Sequence, residues 1–187
     1  RRIRQSLDGI WQFHFGGSDR TRPAAEIDWR AAMVPMPWQA QFDDLRHATG
    51  VAWYRRTVSL EEAPSGAAIL HFGAVDYRAD VWLNGRHLGR HEGGYDPFDF
   101  DVSGAAKPSG NRLVVRVHDD PKEAKPRGKQ SPARYPEGCT YMRVTGIWQT
   151  VWMEAVDPLG LETCRIVPDL DGSRIGTVGI NTNTTAE

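Results

Sequence analysis

Cysteine is scarce in this chain of 187 residues, where only Cys139 and Cys164 occur. Two thiols without a CxxC pair or clustered histidines make a poor zinc site. Sequence alone does not bring their Cα atoms within the ~4.4–6.8 Å that a disulfide spans, so two unlinked thiols are expected. Long apolar runs are also missing: the longest, such as Ala67 to Leu70, fall far short of the ~20 residues that cross a bilayer. The chain therefore reads as soluble, with no membrane partner. Neither charge sign dominates, with 23 Lys plus Arg against 24 Asp plus Glu, so no field exists to gather nucleic acid, and no nucleic-acid partner is expected. No basic, apolar, small-residue signal pattern opens the sequence, which leans the reading toward the cytoplasm while leaving secretion open. No GxSxG and no glycine-rich phosphate loop followed by Lys-Ser/Thr occurs, which removes the nucleophile-elbow and P-loop readings. No cofactor and no metal is expected.

Helical spacing is almost absent, and what is present counts in twos. In "IWQFHF" Trp11, Phe13 and Phe15 share one face; in "WYRRTVSL" Tyr54, Arg56, Val58 and Leu60 oppose Trp53, Arg55, Thr57 and Ser59. "ADVWL" sets Ala79, Val81 and Leu83 against Asp80 and Trp82, "FDFDV" sets Phe98, Phe100 and Val102 against two aspartates, and "RLVVRV" aligns Leu113, Val115 and Val117. "GIWQTVWMEAV" carries a stripe of Trp148, Thr150, Trp152 and Glu154. Period two is the signature of strands. Between these runs lie Asn84-Gly85, Gly93-Gly94, Pro108 to Asn111 and Glu61 to Gly66, all rich in turn residues. Many short strands separated by turns predict an all-β antiparallel sandwich. At this length roughly 70% of the unfolded chain's surface can be buried, enough for one substantial core.

The stretch "DYRADVWLNGRHLGRHEGGYDPFDFDV" mixes glycine, aspartate and histidine. Asn84 and Gly85 both accept the positive φ of a two-residue hairpin turn, so they mark a tip. Asp96, Asp99 and Asp101 offer the hard oxygens calcium takes, but Asp99 and Asp101 alternate with phenylalanines and read as a solvated outer face. His91-Glu92 begins like a zincin motif and then has Tyr95 where the second histidine must stand.

Taken with its neighbours, "VDYRADVWLNGRHLGRHEGGYDPFDFDVS" resembles the amino-terminal domain of glycoside hydrolase family two, the β-galactosidase, β-glucuronidase and β-mannosidase family. "SLDGIWQFHFG", "VPMPWQ", "GVAWYRRTVSL", "AILHFGAVDY", "NRLVVRVHD" and "TGIWQTVWMEAV" follow in family order from Ser6 to Val156. The resemblance implies a jelly-roll β-sandwich, described as sugar-binding, over residues 1–156. Residues 157–187 resemble a linker and the first strands of the family's second, immunoglobulin-like domain. "CRIVPDL", a turn at Asp171 to Ser173 and "IGTVGI" read as two strands, too few for the roughly seven that close such a core, so this piece is expected to be poorly packed.

The resemblance also implies a retaining β-glycosidase as the whole protein, with a β-glycoside as substrate, further immunoglobulin-like and barrel domains as partners, and a homo-oligomer as one option. Retaining glycosidases hold two carboxyl groups about 5–5.5 Å apart. In the family both are glutamates of a later barrel domain, the acid/base following an asparagine. No Asn-Glu dipeptide occurs here, so no catalytic residue is assigned and the chain is expected to be inert alone. The rival readings are an autonomous carbohydrate-binding module and a pure interaction domain.

The strongest site candidate is "DDPKEAKPRGKQSPARYPEGCTYM", Asp119 to Met142, with four prolines and no alternation. Loops beyond ~12–15 residues in compact domains are usually functional or disordered. Lys129, Gln130 and Arg143 are candidate donors to sugar hydroxyls, and Tyr141 or Tyr135 a platform for a pyranose face. The alternative for this loop is docking on the barrel, with its basic residues solvated. Where the resembled galactosidases place a sugar-contacting aspartate, six residues before the glycine matched by Gly146, this chain has Thr140; near their sugar-contacting asparagine it has His47. Galactose specificity therefore does not carry over. Trp11, Trp53, Trp82, Trp148 and Trp152 sit in alternating strands and are expected in the core, whereas Trp38, after "VPMP", is a candidate for packing on a neighbouring domain. Asn183-Thr184-Thr185 is a terminal glycosylation triplet.

Overall fold

The alternating runs become strands of two facing antiparallel sheets. In the computed structural model, residues 3–17, 28–60, 67–156 and 161–182 are described, with backbone alone for 3, 161–163 and 181–182. The Glu61 to Gly66 turn and the Asn183 triplet lie outside the described residues.

In chain order the elements are β1 (Ile3–Ser6), β2 (Gly9–Phe15), β3 (Arg30–Val34), one helical turn α1 (Trp38–Gln41), a 3-10 turn (Asp43–Leu45) and β4 (Gly50–Val58). There follow β5 (Ala67–Phe72), β6 (Val75–Asp76), β7 (Arg78–Leu83), β8 (Arg86–Glu92), β9 (Phe98–Asp101) and β10 (Asn111–Asp119). The last are β11 (Gly146–Ile147), β12 (Val151–Val156), β13 (Leu161–Asp169) and β14 (Arg174–Thr182). One sheet has four strands in the order β1-β12-β5-β9, and the other has six in the order β3-β2-β4-β10-β7-β8. The order interleaves early and late strands, so most core contacts join residues far apart in sequence. β7 turns into β8 through Asn84 (φ 54°) and Gly85 (φ 85°), the two-residue hairpin expected of that dipeptide.

Inward residues of both sheets meet in one core: Phe13, Tyr54, Val81 and Val115 from the larger sheet, and Leu70, Phe72, Val151 and Met153 from the smaller. Period two places them there, because each strand with one buried face must send alternate side chains outward. The same rule corrects the tryptophan assignment. Val81 and Leu83 occupy the inner face of β7, so Trp82 between them points outward and is half-buried. Trp53 does likewise on β4 and packs on Trp82 at 5.8 Å, buried yet outside the core cluster. Val151 and Met153 send Trp152 to the outer face of the smaller sheet, where it stacks on His71 at 4.8 Å under the Arg4 guanidinium. Trp148 is half-buried and donates through Nε1 to Gly94 O at 2.9 Å. Of the five only Trp11 belongs to the core cluster.

Trp38 is corrected in the opposite sense. It is fully buried inside the sandwich, 5.5 Å from Phe15 and 6.1 Å from Phe13, with Nε1 donating to Ala48 O. The prolines on either side turn the chain inward rather than presenting the indole to a second domain.

Among the described residues β13 and β14 pair only with each other, around a turn where Ser173 takes φ 48°. From Cys164 to Ile180 every side chain is exposed except that of half-buried Asp169. Cys139 and Cys164 are both exposed, free thiols.

Candidate functional site

The segment between β10 and β11 is held to one end of the sandwich by a few long-range contacts. At its far end β11 pairs with β6, Gly146 opposite Asp76 and Ile147 opposite Val75. Gly146 takes φ +104°, and a Cβ there would collide with the Tyr54 hydroxyl and lie 3.3 Å from the Trp38 ring, so only glycine closes the loop over this part of the core. Burial pushes the Tyr54 hydroxyl well above its ordinary pKa, so that group stays neutral.

Gln130 is the central clamp. Its Nε2 donates to Asp76 Oδ2 at 2.6 Å and to the Tyr95 hydroxyl at 3.1 Å, while its Oε1 accepts from Val144 N at 2.7 Å. The Tyr95 hydroxyl in turn donates to Arg127 O. Tyr141 N donates to Lys129 O and Ser131 N to Tyr141 O, closing the segment on itself. Arg143 spends its guanidinium on the same loop, donating to the carbonyls of Ser131, Pro132 and Ala133. Burial pushes its pKa below the ordinary value, with Arg127 adding to that and Asp119 opposing it. Buried backbone polar groups in a loop this long need such partners.

Two carboxylates sit beneath the loop. Asp76 is 4% exposed and Asp119 is 5% exposed. Burial pushes the Asp76 carboxyl up to about 6; the Gln130 hydrogen bond opposes this, the charge of Asp119 adds to it, and Lys125 and Arg127 oppose it. A raised carboxyl beside a second carboxylate is the pairing that glycoside hydrolysis asks for. Here both are already committed. Asp119 is ion-paired with Lys125, both side chains 6% exposed, and accepts from Thr145 Oγ1, while Asp76 holds Gln130. A Cβ on Gly94 would lie 2.9 Å from the Asp76 carboxyl carbon, so the Gly93-Gly94 bend also walls this acid in. Both carboxylates are thus occupied in holding the loop to the sandwich.

Two open hollows flank this layer. One, of about 240 Å³, lies over Asp76, Asp119, Lys125 and Arg127. The other, of about 210 Å³, lies between the α1 region and the far limb of the loop, over Gln39, Arg46, His47, Arg134 and Arg143. Gln39 links the two limbs, donating to Thr145 Oγ1 at 2.7 Å and accepting from Thr145 N at 3.0 Å.

The four sequence candidates thus divide. Gln130 and Arg143 hold the loop together, whereas Lys129 and Tyr141 are exposed, Tyr141 at 65%. Tyr135 is also exposed and meets the His47 ring edge-on at 4.7 Å. Thr140 caps a local turn by donating to Glu137 O. Asp76, Tyr95, Arg46 and Arg134 were missed. Asp76 is 54 residues from Gln130, and nothing local marks that contact; Arg46 and Arg134 are brought to one hollow only by the fold.

Comparison with known proteins gives a consistent match. Residues 33–154 match the family model described as glycosyl hydrolase 2 galactose-binding domain-like. A β-glucuronidase of Chlorocebus aethiops is 37% identical over 133 residues, covering 62% of this chain and 20% of that protein. A β-galactosidase of Bacteroides ovatus is 29% identical over 172 residues, 84% of this chain and 19% of that protein. Among solved structures, a Faecalibacterium prausnitzii β-glucuronidase superposes with a TM-score of 0.76 at 28% identity, over 99% of this chain and 36% of that one. A Ruminococcus gnavus β-glucuronidase in complex with D-glucaro 1,5-lactone superposes with a TM-score of 0.78 at 24% identity, a likeness of fold. The chain spans about a fifth of the length of the curated relatives it matches.

Proposed function

The chain belongs to the glycosyl hydrolase 2 galactose-binding domain-like family, and from that membership we propose that it is the non-catalytic sandwich of a retaining β-glycosidase. Residues 1–156 form the sandwich and 157–187 the entry to a second, immunoglobulin-like unit. The observation that supports this reading is the state of Asp76 and Asp119: this carboxylate pair beneath the loop is buried and already hydrogen-bonded. Proton transfer and attack on a β-glycoside, a galactoside or glucuronide among the relatives' named activities, then fall to glutamates of another domain. The contribution of this chain is a rigid wall, built by the clamp of Gln130 and Arg143, that presents Lys129 and Tyr141 toward the sugar. An exposed ammonium and an exposed phenol supply a hydroxyl contact and a stacking surface, and on an open face they hold a monosaccharide with a Kd on the order of millimolar.

The test has two readouts. The purified chain is expected to release no p-nitrophenol from p-nitrophenyl β-glucuronide or β-galactoside, and turnover above a matched blank overturns the non-catalytic assignment. In NMR titrations with methyl β-glycosides, the Lys129 and Tyr141 resonances are expected to move first. Shifts confined to the opposite end of the sandwich overturn the wall.

A further inference from the structure

Among the described residues three aspartates are buried, and two of them face cations: Asp80 is paired with Arg90 and Arg116, and Asp119 with Lys125. Asp76 is the exception. Its only side-chain hydrogen bond among these residues comes from the neutral amide of Gln130. The cations that line the same hollow are committed elsewhere: Lys125 to Asp119, Arg127 to the carbonyls of Pro121 and Glu123, and Arg143 to those of Ser131, Pro132 and Ala133. A carboxylate that ionises out of water without a cation is strongly disfavoured, so it either keeps a proton or regains water.

Three neighbours adjoin the acid, and two of them are fixed by the sandwich. Gly146 lies opposite Asp76 in the β6–β11 pair, and Gly94 is tied down where Trp148 Nε1 donates to its carbonyl. The third, Gln130, reaches the sandwich only through its side chain, which donates to Asp76 Oδ2 and to the Tyr95 hydroxyl. Of the three, Gln130 is the one that can give way without breaking a strand pair, and the segment that moves with it carries Lys129 and Tyr141.

We propose that Asp76 and Gln130 form a proton-operated latch: with the acid protonated the 119–143 segment stays shut on the sandwich, and with the acid ionised the segment opens locally to let water reach it. The protonated acid still offers an oxygen to Gln130 Nε2. While the segment is shut, burial raises this carboxyl to about 6; Asp119 adds to the rise, and Gln130, Lys125 and Arg127 oppose it. From β11 and the Gly93-Gly94 bend the neighbours are glycines, which bring no charge. Once hydrated, the carboxyl returns toward 3.8. Closure is therefore at full strength below about pH 4, weakens as pH rises through about 6 and stays weak above it. The opening itself needs no sugar; its consequence, a wall that loosens above about pH 6, rests on the wall reading.

Native-state hydrogen exchange of the full chain from pH 4 to pH 7, with rates divided by the intrinsic rate at each pH, tests the latch. The amides of Ser131, Tyr141 and Val144 are hydrogen-bonded within the segment or to Gln130. Their protection is expected to fall by up to about 100-fold across that range. At pH 7 they should exchange faster than Leu70 and Phe72 of β5 and be insensitive to low urea, as local opening requires. Asp76→Asn should abolish the fall, and Gln130→Ala should give the pH 7 rates at pH 4 as well. Protection independent of pH in the parent overturns the latch, as does exchange of these amides only at the urea-dependent rate of β5. A fall that survives in Asp76→Asn overturns the assignment to Asp76, and full protection at pH 4 in Gln130→Ala overturns the role of Gln130. If the latch fails while methyl β-glycosides still move Lys129 and Tyr141, the wall reading stands; if it holds while no glycoside moves them, the wall reading fails alone.

Discussion

β5 and β14 obey the same local rules and meet opposite fates. Both are strands with alternating side chains, and both pair antiparallel with a neighbour, β5 with β12 and β9, β14 with β13. Leu70 and Phe72 on β5 are 1% and 0% exposed, whereas Ile175, Val178 and Ile180 on β14 are 63%, 49% and 55% exposed. The hydrogen-bonded ladder is therefore not what separates the two regions. A two-stranded ribbon satisfies its backbone but has no second sheet to take its apolar face, and such hairpins are marginal in water. The sandwich has that second sheet, and burial of apolar area at roughly 25 cal/mol per Å² supplies its stability.

The largest test of this contrast is Phe72→Ala. Phe72 is fully buried and stacks on Phe98 at 4.9 Å with planes 9° apart. Truncation removes transfer energy and leaves a cavity, so a loss of about 3–5 kcal/mol is expected. Urea unfolding followed by Trp fluorescence measures it as a fall in midpoint at unchanged slope. A loss below about 1 kcal/mol would mean that the facing sheets do not carry the stability of this chain.

A second test probes the polar layer under the loop, where burial works against stability. Asp76 has its carboxyl raised from 3.8 to about 6, chiefly by burial. The folded state therefore binds this proton more tightly than the unfolded state does. The contribution is fully present below about pH 4, is lost as pH rises through about 6, and stays lost above it. Asp119, Lys125, Arg127 and Gln130 face the group and set the size of the shift. Asp76→Asn keeps an oxygen for Gln130 and cannot ionise. Relative to the parent, the variant should gain up to about 3 kcal/mol in stability between pH 4 and pH 7. Paired melts across that range decide it, and a difference independent of pH overturns the assignment of a raised carboxyl.

These contrasts bear on what was legible in the sequence. Alternation identified the strands, and Asn84-Gly85 identified a hairpin, because both are local consequences of backbone geometry. Alternation does not say which of two stripes faces inward, and tryptophan is apolar enough to be assigned inward by default. The outward settings of Trp53, Trp82 and Trp152 follow only once Val81, Val151 and their neighbours claim the inner face. At the site the long proline-rich segment stood out by composition and length, and it forms the connection between β10 and β11. The roles within it were hidden, since the partners of Gln130 and the carbonyls around Arg143 are matters of three-dimensional closure. Residue type predicted donors, but not that the loop itself would use them.

The smallest expected effect returns to β14 and its partner strand. Ile166 is 59% exposed and lies opposite Val178 on β14. Ile166→Thr keeps a β-branched side chain that suits a strand while removing an apolar one, so any cost must come from lost burial. With the site already in water, the change in unfolding energy of the sandwich should stay within about 0.5 kcal/mol. Native-state hydrogen exchange sharpens the result: β13 and β14 amides should exchange through local opening, on the order of a thousandfold faster than those of β5, and Ile166→Thr should leave the β5 rates alone. If Ile166→Thr instead costs more than 1 kcal/mol, the apolar face of the ribbon is covered in solution by another surface, and the two regions differ in what covers them rather than in whether they are covered.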